Sequence, residues 1–165
     1  MKKEIDLNQQ REEYVAFIEQ QKTMVLSSLD LEGNPFTSYA PYVLHEGTFY
    51  IYISKISDHY AFIEKSPKVS GMILADEADS PNLFARKRAR FECTSKIVAD
   101  EAHEHIFEVF NEKHGKPMLD LLRGLDFSLF ELTPEVGRYV VGFGKAFDIN
   151  MATKELNHVV VDKKK

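Results

Sequence analysis

Apolar positions between Leu7 and Gln21 recur at helical spacing. Leu7, Tyr14, Phe17 and Ile18 fall near one face, and glutamate and glutamine cover the rest. Asp6 or Asn8 is placed to cap this helix. Beyond it the period drops to two. Thr23 to Leu29, Phe36 to Leu44 and Thr48 to Ile53 read as strands, the last with Phe49, Ile51 and Ile53 on one face and Tyr50 and Tyr52 on the other. Asp30 to Pro35 and His45-Glu46-Gly47 are the turns between them, which predicts an antiparallel meander.

The second half alternates the two periods. Asp58 to Glu64 reads as a short helix, Val69 to Ala75 as a strand and Arg86 to Val98 as a long strand. Asp100 to His114 and Lys116 to Leu122 read as helices, with Gly115 between them. Phe127 to Leu132 and Arg138 to Phe143 read as two strands around a Thr133-Pro134-Glu135 turn. About seven strands and three or four helices in this order predict an α+β fold, an antiparallel barrel with flanking helices. One domain over residues 1–150 is expected. Residues 151–165, where the pattern decays into Lys163, Lys164 and Lys165, are expected to form a mobile tail.

Composition narrows the function. A net charge of -5 gives no global basic field, so nucleic acid is not an expected partner. No stretch reaches the roughly 20 apolar residues of a spanning helix, and no apolar run follows Lys2 and Lys3, so a cytoplasmic protein without a membrane partner is expected. The single cysteine, Cys93, excludes an internal disulfide and reads as a buried strand residue.

Three segments in this order carry a family resemblance. The first is Asn34-Pro35-Phe36-Thr37-Ser38-Tyr39-Ala40-Pro41-Tyr42-Val43, and the second Ile53-Ser54-Lys55-Ile56-Ser57-Asp58-His59 followed by Ser66-Pro67. The third is Leu83-Phe84-Ala85-Arg86-Lys87-Arg88 with Asp126-Phe127-Ser128-Leu129-Phe130 and Gly142-Phe143-Gly144-Lys145-Ala146-Phe147. From about Thr23 to Phe147 the chain resembles the HugZ/HutZ haem-utilisation branch of the pyridoxamine-phosphate-oxidase-like split barrels, also called FMN-binding split barrels. The resemblance implies a homodimer of split barrels with ligands in clefts at the dimer interface. It implies either haem, bound and oxidatively degraded to release iron, or FMN as cofactor of an oxidoreductase. A dimer that carries haem or flavin without turnover is the third reading.

The candidate cofactor-binding residues are Ser38, Tyr39, Ser54, Lys55, His59, Arg86 and Arg88. Guanidinium groups suit haem propionates or an FMN phosphate through charge-assisted hydrogen bonds. The plainer reading of Arg86, Lys87, Arg88 and Arg90 is a charged strand edge that discourages aggregation. Ser54, Lys55 and Ser57 at a strand end suit a phosphate, and the plainer reading is a helix cap by Ser57 or Asp58 with Lys55 on the surface. Tyr39 also reads as ordinary strand packing. His158 lies in the region from which the family supplies its haem ligand, and Asp126 matches a residue that polarises that ligand. The tail reads Glu155-Leu156-Asn157-His158-Val159-Val160-Val161-Asp162 and departs from the family's Gly-His-x-x-His type of ending. Of the other histidines, His45, His103 and His105 read as exposed, and His114 sits at a helix C-terminus where positive charge suits the dipole.

Overall fold

The computed structural model describes residues 3–160. Helix α1 spans Leu7–Gln20, and Asp6 is its cap, its carboxylate accepting from the amides of Asn8 at 3.0 Å and Gln9 at 3.1 Å. Strands β1 (Thr23–Leu29), β2 (Pro35–His45) and β3 (Thr48–Ser54) form the expected meander. In the first turn Asp30 accepts from the amides of Glu32 and Asn34 while Gly33 takes φ +83°, a region costly for any side chain. Helix α2 (Asp58–Lys65) leads to β4 (Lys68–Leu74), then two short 3-10 turns and β5 (Arg88–Val98). A 3-10 turn over Asp100–His103 precedes α3 (Glu104–His114) and α4 (Lys116–Arg123), so the long helix expected from Asp100 begins four residues late.

With β6 over Phe127–Gly142, the strand order is β3-β2-β1-β4-β5-β6, and β3 pairs back onto β6, which closes an antiparallel six-stranded barrel. Its interior is aromatic, with Tyr14, Tyr42, Phe49, Phe91, Phe130, Tyr139 and Phe147 all 0–1% exposed. Helix α1 contributes Tyr14, Phe17 and Ile18 to this core, and α2 contributes Tyr60 and Ile63. A second cluster lies outside the barrel wall, where Val43, Tyr50, Tyr52 and Leu129 meet Ile106, Phe107 and Phe110 of α3 and Leu119 of α4. That packing explains why both faces of β3 are apolar.

Three expectations are corrected. Thr133-Pro134-Glu135 is not a turn: β6 runs unbroken over Phe127–Gly142. Cys93 pairs with Pro134 and Glu92 with Val136, so Glu135 is an extra residue, a β-bulge. Proline is tolerated there because the ladder is already interrupted. Gly142-Phe143-Gly144 is a hairpin turn, Gly144 at φ +67°, into β7 (Lys145–Ile149). After Asn150 the chain does not leave the fold at once. The Asn150 side chain accepts from the amides of Ala152 and Thr153, Leu156 is buried, and β8 (Leu156–His158) pairs with β7. Lys163, Lys164 and Lys165, the expected mobile end, lie outside the described residues.

Candidate functional site

Six of the predicted residues gather at one end of the barrel. Ser38 near the start of β2 and His59 in the first turn of α2 meet at 2.9 Å, Oγ to Nδ1. Both are half-buried, and burial lowers the His59 pKa below its usual value, outweighing the opposing pull of Asp58. The imidazole is therefore neutral near neutral pH. At the end of β3 the Ser54 hydroxyl donates to the Asp126 carboxylate at 2.8 Å, and the Lys55 amide donates to the Asp126 carbonyl at 3.1 Å. Tyr39 stands on the outer face of β2, 60% exposed.

This end is poorly suited to a phosphate. The Ser57 hydroxyl donates to the Ser54 carbonyl at 2.6 Å and makes no side-chain bond to α2, so the expected Ser57 cap is replaced by a turn that ties β3 to the helix. Asp58 occupies the first turn of α2. Two hydroxyls are thus spent on internal acceptors, and two carboxylates, Asp58 and Asp126, stand beside them. A phosphate would be repelled by both.

The arginines are elsewhere. Arg86 and Arg88 precede or begin β5, at the end of the barrel that α1 closes. They do not act together. Arg86 donates through Nε to the Ala75 carbonyl at 2.6 Å and lies 3.9 Å from Glu77, in a depression shared with Phe17, Asp76 and Asp79. Arg88 faces the outer barrel wall in a groove of about 340 Å³ with Met72, Arg90, Arg138, Val140 and Ala146. Arg138 was outside the predicted set because 48 residues separate it from Arg90 and only the register of β5 on β6 unites them.

His158 packs at a tilt of 37° against Phe147, ring centroids 5.5 Å apart, and its Nε2 lies 2.7 Å from the Gly144 carbonyl. A carbonyl only accepts, so Nε2 carries the proton when the ring is neutral and Nδ1 holds the lone pair. Asp126 precedes β6 and Gly144 follows it, so the length of that strand separates Asp126 from His158 within one chain. His114 Nε2 similarly donates to the Tyr42 carbonyl at 2.8 Å, a structural tie with its pKa lowered mainly by burial. His45, His103 and His105 cluster on the surface, and among the described residues no group of three His, Cys, Asp or Glu side chains is disposed to hold a metal ion. Burial pushes the Cys93 thiol up to about 12, which makes it unreactive.

A closed six-stranded antiparallel barrel with helices packed against its ends and one wall defines the split-barrel class. Residues 10–141 match the model of the pyridoxamine 5'-phosphate oxidase family, and the chain belongs to that family. It is 35% identical over 136 residues to the protein described as "Heme oxygenase HutZ" of Vibrio cholerae, covering 81% of this chain and 77% of that one. Campylobacter jejuni ChuZ superposes with a TM-score of 0.87 at 31% identity over 96% of this chain, which spans only 65% of the ChuZ chain. The crystal structure of Vibrio cholerae HutZ, described as a heme storage protein, superposes with a TM-score of 0.72 at 34% identity, covering 79% of this chain and 92% of that one.

Proposed function

We propose that this protein is a haem-binding haem-utilisation protein that works as a homodimer in the cytoplasm. The kinship with proteins named for haem supports the ligand class. The observation that carries haem over FMN is the β3–α2 turn. There the serine hydroxyls are consumed internally, and Asp58 and Asp126 oppose a phosphate. The arginine groove offers cationic groups beside Met72, Val140 and Ala146, which suits an apolar macrocycle with anionic edges.

The surface left uncovered supports a dimer. Helices α3 and α4 pack on the β2–β3–β6 wall, whereas α2 meets β1 and β5 through its inward Tyr60 and Ile63, and among the described residues no helix cluster covers the outer faces of β1, β4 and β5. Tyr39, Val25, Leu29 and Val136 are 60, 37, 40 and 49% exposed on that side. A second copy would cover these side chains.

When bound, haem would supply the iron at which reductant and oxygen meet to open the ring. His158 is the candidate ligand through Nδ1, oriented by its bond to Gly144. Asp126, held by Ser54, would polarise a ligand of the opposite subunit. Ser38 would fix the ring of the neutral His59 at the cleft edge. The test is titration with haemin and, separately, FMN. A saturating Soret band at one haem per subunit, diminished by His158→Ala, is expected. Saturable quenching of FMN fluorescence with only weak haemin absorbance would transfer the assignment to an FMN-dependent oxidoreductase.

A further inference from the structure

Lys113 stands where three elements meet and has no part in the haem reading. It lies in the last turn of α3, its Nζ 4.0 Å above the ring of Tyr42 on β2, and Glu19 of α1 closes the third side. The Tyr42 ring is a fixed floor. The Tyr42 hydroxyl donates to the Ile18 carbonyl of α1 at 2.5 Å, and His114 Nε2 donates to the Tyr42 carbonyl at 2.8 Å. Beside the ring opens a cavity of about 290 Å³, lined by Lys113, Leu44, Val109, Glu19 and Glu112. Leu44, Val109 and Lys113 are half-buried, and the two glutamates are exposed. Among the described residues Lys113 enters no ion pair, although both glutamates line its cavity. Water is thus withdrawn from an amine that receives no carboxylate oxygen in exchange.

The charged and titratable groups around the amine are Glu19 of α1, Lys22 just before β1, Tyr42 of β2, and Glu112 and His114 of α3 itself. Burial is the largest effect on Lys113 and Lys22 adds to it, against the pull of Glu19, so the amine titrates at about 8. At neutral pH on the order of a tenth of it is free base, against under a thousandth of an ordinary lysine. We propose that Lys113 is a covalent capture site for small neutral aldehydes, held as imines in the cavity between α1 and α3. The Nζ lone pair attacks the carbonyl carbon, the C–N bond forms and the carbonyl π pair moves to oxygen. The carbinolamine then loses that oxygen as water, with the two protons that leave nitrogen, and the C=N bond forms. No oxidant or reductant takes part, and hydrolysis reverses the step. The cavity sets the ligand class. Its volume admits a chain of a few carbons, Leu44 and Val109 give that chain apolar walls, and Glu19 and Glu112 repel anionic carbonyl compounds such as 2-oxo acids.

The experiment incubates the full-length protein near neutral pH with propanal or with glyoxylate, each with cyanoborohydride, which reduces an imine to a stable secondary amine located by peptide mass. Propanal is expected to modify Lys113 roughly tenfold faster than the exposed Lys68 and Lys96, the larger share of free base outweighing the lower basicity. In concentrated urea that preference should vanish, since it belongs to the folded cavity. The glyoxylate-to-propanal ratio is expected to be several-fold lower at Lys113 than at Lys68 and Lys96. A Glu19→Gln/Glu112→Gln variant, altered only at exposed positions, should raise the ratio at Lys113 to that of the exposed lysines. Modification of Lys113 no faster than of Lys68 and Lys96, or a preference that survives urea, overturns the capture site. A ratio at Lys113 equal to that of the exposed lysines in the native protein, or unchanged in the double variant, overturns the selection of neutral aldehydes by the cavity.

Discussion

Ser38 and His59 touch at 2.9 Å although 21 residues separate them, and this contact joins β2 to α2 at the polar end of the barrel. Burial lowers the His59 pKa. Below about 6.5 the unfolded chain takes up a proton that the folded one refuses, so stability declines as pH falls from 6.5 through the folded value. His114, whose pKa burial also lowers, acts in the same direction. Melting temperature is expected to drop between pH 7 and pH 5, and His59→Gln to flatten part of the drop. An NMR titration placing the His59 midpoint above 6.5 would contradict this.

The uncovered wall makes a prediction about mass. Val25 lies between Tyr39 and Met72 in one cross-strand row on the outer face. Val25→Glu places a charge at the centre of the proposed interface. Sedimentation is expected to give two chains for the native protein and one for the variant, with a far-ultraviolet spectrum unchanged. An unaltered mass would move the interface off this face.

Lys113 stands 4.0 Å over the Tyr42 ring, and burial depresses its pKa to about 8 despite the nearby Glu19. Between pH 8 and the ordinary value of a lysine the folded chain holds fewer protons than the unfolded one, so the penalty of the buried charge is full only below about 8. Lys113→Met is expected to raise the melting temperature at pH 7, with the gain shrinking as pH rises from 8 to 10. At pH 8 amine-directed reagents should label Lys113 ahead of the exposed lysines, readable by peptide mass.

Gly137 is closely packed. A Cβ there would come within 2.8 Å of Met151 Sδ, 2.9 Å of Ile149 Cδ1 and 3.2 Å of Phe91 Cδ1. Met151 can yield, but Ile149 and Phe91 are buried in the barrel. Gly137→Ala is expected to cost about 1–3 kcal/mol in urea unfolding, the range of overpacked cores. A neutral result would show that the β6–β7 ladder gives way there.

The meander, the α1 face and the long β5 were legible because each is local. The alternation of Phe49, Ile51 and Ile53 with Tyr50 and Tyr52 announces two buried faces, and the fold supplies a separate cluster for each. Ser38, Ser54, His59 and Asp126 were found through their family pattern, and the fold brings all four to one end. Arg86 and Arg88 are adjacent in sequence yet point into different depressions, because Arg86 caps a 3-10 turn and Arg88 begins a strand. Strand β8 escaped notice because three residues, of which only Leu156 is buried, carry no period. Arg138 escaped because pairing register is a long-range property.

The bulge at Glu135 has a further consequence. Before it, Phe130 and Leu132 face inward, and after it Tyr139 does, so the parity of β6 reverses at that one residue. Deleting Glu135 would not make a local lesion. With the first half of β6 held in place by β3, the second half would turn over, driving Arg138 into the aromatic core and Tyr139 into water. Insertions and deletions of odd length should therefore be purged from this stretch even where point substitutions are accepted, and its length should be a stricter signature of the groove than the identity of most residues lining it.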